Sequence, residues 1–172
     1  MTASAVLVDA FGRVRDAVHG AVENLTDDEL IYRPDDHANS IAWLVWHLSR
    51  VEDDHVCAAA KIDQVWMSQD WEERFALPFD PAATGYGQDS EEVAQVVCDG
   101  SLLLGYQDAV HERVISYVST LGDEDLNLIV DRRWSPPVTL GVRLVSVIAD
   151  GLEHAGQAAY IRGLALRRRT AG

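Results

Sequence analysis

Apolar residues recur at intervals of three and four along four stretches of the chain, and each stretch reads as an amphipathic helix. The first runs from about Ala3 to Asn24. There Val6, Leu7, Ala10, Phe11, Val14, Val18 and Val22 share one face, and Thr2 or Ser4 can cap the start. The second spans about Asn39 to Val65, opens as "SIAWLVWHL", and has Asn39 or Ser40 as its N-cap. The third begins near Ser90, where "SEEVAQVV" supplies a cap and first-turn acids, and continues to about Thr120. Gly100 and Gly105 should weaken and bend it. The fourth runs from about Thr139 to Arg168, behind an "SPP" that stops any earlier helix.

The segments between these helices are punctuated differently. From about Met67 to Asp89 the chain contains "LPFDPAATGYGQ", whose prolines and glycines exclude a regular helix. A connection of that length in a compact domain is often functional. In "NLIVDRRWSPPVTL", Leu128, Ile129 and Val130 suit a brief strand. A weak echo links "LTDDEL" after the first helix to "LGDEDL" after the third, each suited to a short helical turn with acids at its start. The pattern predicts an all-α four-helix bundle with a long connection between its second and third helices. It forms one domain over residues 1–168, with residues 169–172 as a C-terminal tail.

Composition narrows the function classes. The 172 residues carry a formal net charge of −14, which repels phosphate backbones and argues against nucleic-acid binding. Arg167–Arg169 reads as cations at the negative end of a helix dipole. The N-terminus lacks the basic and apolar regions of a signal peptide, and no apolar run approaches the roughly 18 residues of a membrane span. No membrane association and a cytoplasmic location are therefore expected. Cys57 and Cys98 form no metal-binding or redox spacing and suit small buried thiols in a reducing compartment.

Against this background His47 stands out, set among Ile41, Leu44, Val45 and Leu48. Alone it reads as a satisfied core histidine or as a metal ligand seeking partners. The fourth helix offers partners. "LVSVIADGLEHAGQAAYIRGL" is interrupted by Asp150, Glu153, His154 and Gln157, and Asp150 and His154 lie four residues apart on one face. That pair is either an ordinary carboxylate–imidazole hydrogen bond or a two-point grip on a divalent ion. With His47 it would give two nitrogens and one oxygen, a set suited to Zn²⁺, Ni²⁺ or Fe²⁺ with positions left open.

The other histidines fit less well. His55 lies about 12 Å along the helix from His47, too far for one ion, and with Asp53 and Asp54 it suggests a solvated acidic surface. His19, His37 and His111 read as non-ligands, the last being the least certain because its helix could face the cavity. No GxSxG, P-loop or GxGxxG competes, and Cys57 is about 15 Å from His47 along the axis. Trp43, Trp46, Tyr86, Trp134 and Arg143 could contact a substrate, although aromatic residues in bundles are core first.

"SIAWLVWHLSRVEDD" together with "ADGLEHAGQAAYIRGL" resembles the DinB/YfiT-like superfamily of metalloenzymes. "TGYG", "LLLGYQDAVHERV" and "DRRWSPPVTLGVRLVSVIAD" extend the likeness over nearly the whole chain. The resemblance implies a four-helix bundle holding a metal by three side chains. These are a histidine of the second helix, matching His47, and a pair four residues apart in the fourth, commonly both histidine. His154 matches the second of the pair. Asp150 stands where the first is usually histidine, although mycothiol-dependent relatives use a carboxylate there.

The resemblance further implies a divalent cofactor, Zn or Ni first. It implies a low-molecular-weight thiol such as mycothiol or bacillithiol as co-substrate, a small electrophile as substrate, and a homodimer. The thiolate is the nucleophile, and a divalent cation deprotonates a thiol near neutral pH. The same site could instead activate water as a hydrolase, or have decayed into a non-catalytic scaffold.

Overall fold

The computed structural model describes residues 2–171. The chain forms α1 (Ala3–Val22), α2 (Asp27–Leu30), α3 (Ile41–Ala60), α4 (Val65–Ser68), α5 (Trp71–Phe75), α6 (Ser90–Ala94) and α7 (Gly100–Val118). A 3₁₀ turn (Asp123–Asn127), β1 (Ile129–Asp131), β2 (Val138–Thr139) and α8 (Leu140–Ala171) follow. The architecture is all-α apart from one two-stranded antiparallel ribbon. No helix among the described residues is long and apolar enough to cross a membrane.

Local chemistry sets the helix starts. The side chains of Thr2, Ser40 and Asp99 accept from the N–H groups of Ala5, Trp43 and Leu102, at 3.2, 3.1 and 2.8 Å. Both acidic echoes become short helical turns. Thr26 and Glu29 close a capping box on α2, and Asp125 accepts from the N–H of Gly122 at 2.8 Å.

Three helices end or begin where the periodicity did not place them. The second stops at Ala60 rather than Val65. Lys61 turns left-handed (φ 57°), and the N–H of Ile62 reaches back to the carbonyl of Cys57 at 3.0 Å, a Schellman closure. The stretch expected as one helix from Ser90 is two. Asp89 caps α6, the chain then unwinds, and Asp99 caps a fresh start at Gly100. An aspartate that can cap competes with helix continuation, and Gly100 offers little resistance. The fourth helix continues past Arg168 as far as Ala171.

The long helices pack in a closed ring in the order α1, α8, α3, α7, with α1 and α3 on a diagonal. Ser49 donates to Gln107 and Arg113 donates to the carbonyl of Asp63, so residue numbers rise together and α3 runs parallel to α7. Ser4 meets Val118 while Arg15 meets Asp108, so α1 and α7 are antiparallel. Parallel successive helices require the chain to return along a full helix length, about 30 Å for 20 residues. The long connection between α3 and α7 is therefore a geometric necessity.

That connection lies against α3 and changes what α3 exposes. The sequence pattern suggested a solvated acidic face from Glu52 to His55, but Glu52 is 2% and Asp53 0% exposed. Asp53 accepts from the N–H groups of Val65 and Trp66 (3.0 and 2.9 Å), from the Tyr106 hydroxyl (3.0 Å) and from the Cys57 thiol (3.3 Å). Arg50, 1% exposed, lies 3.8 Å from Asp53 and donates to the carbonyl of Ala83 at 3.1 Å and to Gln64 at 2.9 Å. Asp53 thus caps α4, whose own N-cap Gln64 makes no capping bond, and Arg50 holds the far end of the loop. Only Asp54 and His55 keep the expected character, as a half-exposed pair 3.2 Å apart.

Candidate metal centre

Where α3 crosses α8, His47 faces Asp150 and His154. Each of the three offers one ligand atom, and these atoms lie within 4.8 Å of one another. Among the described residues this is the group of His, Cys, Asp and Glu that can hold a metal ion. The imidazoles of His47 and His154 meet edge to face with centroids 4.9 Å apart. The Trp43 indole stacks on His47 (4.6 Å, 17°) and lies edge-on to His154, so one aromatic wall bounds both rings.

The contacts of each imidazole determine which nitrogen is free. His47 Nδ1 makes a short hydrogen bond to the carbonyl of Thr84. A carbonyl only accepts, so Nδ1 carries the proton and Nε2 keeps its lone pair. His154 Nδ1 lies 3.2 Å from the Oε1 of Gln157, which leaves its Nε2 directed at Asp150 Oδ1, 3.5 Å away. A ligating histidine typically donates its second ring N–H in this way, which fixes the tautomer and the ring orientation. Asp150 Oδ2 is buried with no partner. A buried carboxylate oxygen left unpaired, on a side chain grouped with two imidazoles, is an acceptor available to a cation, since burying it unpaired costs free energy.

Ionisation follows the same geometry. Burial pushes the His47 imidazole down, with the Thr84 carbonyl partly opposing, so the ring is held neutral as a ligand must be. Burial alone would raise Asp150. Its bond to His154 and the charges of His154, His47 and His55 outweigh that and bring the carboxyl below its ordinary value. His154 is raised, chiefly by Asp150. A divalent ion would displace the proton that Asp150 favours on His154, and the donor set is then two imidazole nitrogens and one carboxylate oxygen, with positions open for another ligand.

Periodicity identified His47, Asp150 and His154 as candidates but not the groups that orient them. Thr84 acts through its backbone carbonyl, which no side-chain pattern reveals. Gly85 adopts φ +93°, and a Cβ there would lie 2.8 Å from His47 Nδ1 and 3.0 Å from the Trp46 ring. Gly85 therefore allows the loop to press its backbone onto His47. The "TGYG" and "HAGQ" stretches were visible signals for Gly85 and Gln157, without their roles. Gly85→Ala should push the loop off His47 and weaken divalent metal binding about 10- to 100-fold with helix content unchanged. Competition with a chromophoric chelator measures this, and equal affinity in both proteins would refute the role of Gly85.

The remaining candidates sort by position. Trp46 lies in the core, Tyr86 and Trp134 are exposed, and Arg143 pairs with Asp131 at 3.1 Å. His19 pairs with Asp108 and Glu23. Cys57 and Cys98 are free thiols, each pushed up to about 12 by burial first, and so are poor nucleophiles.

Comparison with known proteins bears on this arrangement. A family model described as the DinB superfamily matches residues 10–158. The solved structure of a conserved protein from Enterococcus faecalis is 33% identical, covering 96% of this chain and 98% of that one, with a TM-score of 0.89. No curated protein matches the chain.

Proposed function

The chain belongs to the DinB superfamily, and we propose on that premise that it is a cytoplasmic metal-dependent enzyme whose ion is held by His47, Asp150 and His154. Its reaction is transfer of a low-molecular-weight thiol of the mycothiol type to a small electrophile. The observation that carries the metal reading is the approach of two imidazoles, oriented by Thr84 and Gln157, and the Asp150 carboxylate to within 4.8 Å of one another, with one oxygen of that carboxylate buried and unpartnered.

Zn²⁺ or Ni²⁺ bound by these donors would supply Lewis acidity, lowering the pKa of a thiol or water taken into an open position. The protein's own groups do the rest. Thr84 and Gln157 orient the two imidazoles, and Trp43 excludes water from one side of both rings. Asp150 contributes negative charge, which lowers the net charge of a divalent site to about +1. A second copy of the chain is the expected macromolecular partner. The outward face of α8, where Val145, Leu152 and Tyr160 are exposed, supports that expectation.

Metal content of the untagged protein tests the proposal. About one ion per chain is expected in the native protein and little in His47→Ala or His154→Ala. Added Zn²⁺ or Ni²⁺ at about 100 times its dissociation constant should stabilise the native fold by about 2.7 kcal/mol. Equal metal content in all three proteins refutes the site. Electrophile consumption that requires both metal and thiol supports the transferase, whereas metal-dependent ester or amide cleavage without thiol would make the enzyme a hydrolase.

A further inference from the structure

Beside the proposed metal centre, along the same α3–α8 interface, lies a cavity of about 250 Å³. It is walled by Asp54, His55, Ala58 and Ala59 of α3, by residues 130–133 of β1 and the following turn, and by Arg143 of α8. Its lining carries more basic than acidic side chains. Three arginines, Arg132, Arg133 and Arg143, and two aspartates, Asp54 and Asp131, line it in a chain whose formal charge is −14.

Both carboxylates are already engaged. Asp131, buried at 8% exposure, accepts from Arg133 at 3.1 and 2.8 Å and from Arg143 at 3.1 Å. Asp54 takes His55 at 3.2 Å and the Gln64 amide at 2.9 Å. Arg132 also lines the cavity, and no hydrogen bond or ion pair engages it among the described residues. One guanidinium fork is thus left over, next to two others held in place by a buried carboxylate. Such a fork matches the two oxygens of a carboxylate or phosphate.

The cavity lies at a definite distance from the metal donors. Eight residues of α3 separate His47 from His55, and seven of α8 separate Arg143 from Asp150, which correspond to about 12 and 10 Å of helix. His47 meets His154 while His55 shares the cavity with Arg143, so α3 and α8 run antiparallel and both lead from the same donors to the same cavity.

We propose that this cavity is an anion subsite that holds a carboxylate or phosphate group of the substrate or thiol, roughly 10–12 Å from the atom that reacts at the metal donors. The assignment of the reactive end rests on the metal reading above; the anion site itself rests on the arginines. It acts by positioning, since an anchored tail restricts how the reactive end can sit. In a strongly acidic protein a local excess of arginines also attracts an anion that the rest of the charge repels.

The test titrates the full-length protein calorimetrically at low ionic strength with succinate and, separately, with inorganic phosphate. Saturable one-site binding of at least one of them is expected, and the tighter of the two identifies the group. Arg132→Gln, at an exposed position, should weaken that binding at least tenfold with an unchanged melting temperature. His154→Ala should leave it within about twofold. Absence of saturable binding, or equal affinity in Arg132→Gln, overturns the proposal. Loss of binding in His154→Ala also overturns it, because the anion would then be seated at the metal donors. Anion binding in a protein that takes up no metal would refute the metal reading alone and leave the anion site standing.

Discussion

Replacing Asp53 by alanine should destabilise the fold by about 3–5 kcal/mol, the cost of removing one partner of a buried ion pair. Its carboxylate satisfies the N–H groups of Val65 and Trp66 and the Tyr106 hydroxyl, and it lies 3.8 Å from the buried Arg50 guanidinium. Alanine would leave all of these buried without their partner. Against a typical total stability of 5–15 kcal/mol, such a loss brings the domain close to unfolding. Urea denaturation measures it, and a change below about 1 kcal/mol would contradict the role assigned to Asp53.

The same substitution should reach the metal centre. Arg50, next to Asp53, donates to the carbonyl of Ala83, and the following residue, Thr84, supplies the carbonyl that fixes His47. Divalent metal affinity should therefore fall in Asp53→Ala even under conditions where the variant remains folded.

Glu52→Gln should have the opposite sign. Glu52 is buried, and it accepts from the Gln107 amide through Oε2 at 3.3 Å while Oε1 has no partner. Burial lifts its carboxyl from 4.5 to about 8, so the folded chain carries it protonated at neutral pH. Between about pH 4.5 and 8 the folded state holds a proton that the unfolded state has released. Over that range stability falls by about 1.4 kcal/mol per pH unit from this group alone. The contribution is fully present below the unfolded value and gone above the folded one.

Glutamine keeps the shape and cannot ionise. The variant should match the native protein near pH 5 and exceed it by a few kcal/mol near pH 8.5. Urea midpoints at the two pH values test this, with all other titrating groups common to both proteins. An equal difference at both would show that Glu52 does not carry the titration.

The four long helices were legible in the chain because each must turn one apolar face to the core, and that requirement writes a period of 3.6 into the sequence. The caps were legible to within two candidates each, Thr2 or Ser4 and Asn39 or Ser40, for a similarly local reason, since a capping side chain reaches N–H groups only two or three residues away. His47 was a question rather than an answer. An imidazole on an apolar face satisfies either reading until its neighbours are known. Asp150 and His154 were readable as a pair because one helix fixes their spacing.

What the sequence determined by itself was thus everything governed by contacts within a few residues: helix type, most starts, and which side chains could act as donors. What only the tertiary structure decided depended on segments far apart in the chain. The return of the connection across α3 buried Glu52 and Asp53, which a single-helix pattern read as solvated. It also carried the backbone of Thr84 and Gly85 onto His47, leaving Nε2 as the free nitrogen. The packing of α3 antiparallel to α8 brought three donors to one point and put Arg143 and His55 around one cavity. A local pattern records which face of a helix avoids water, but it does not record which distant segment supplies that shelter.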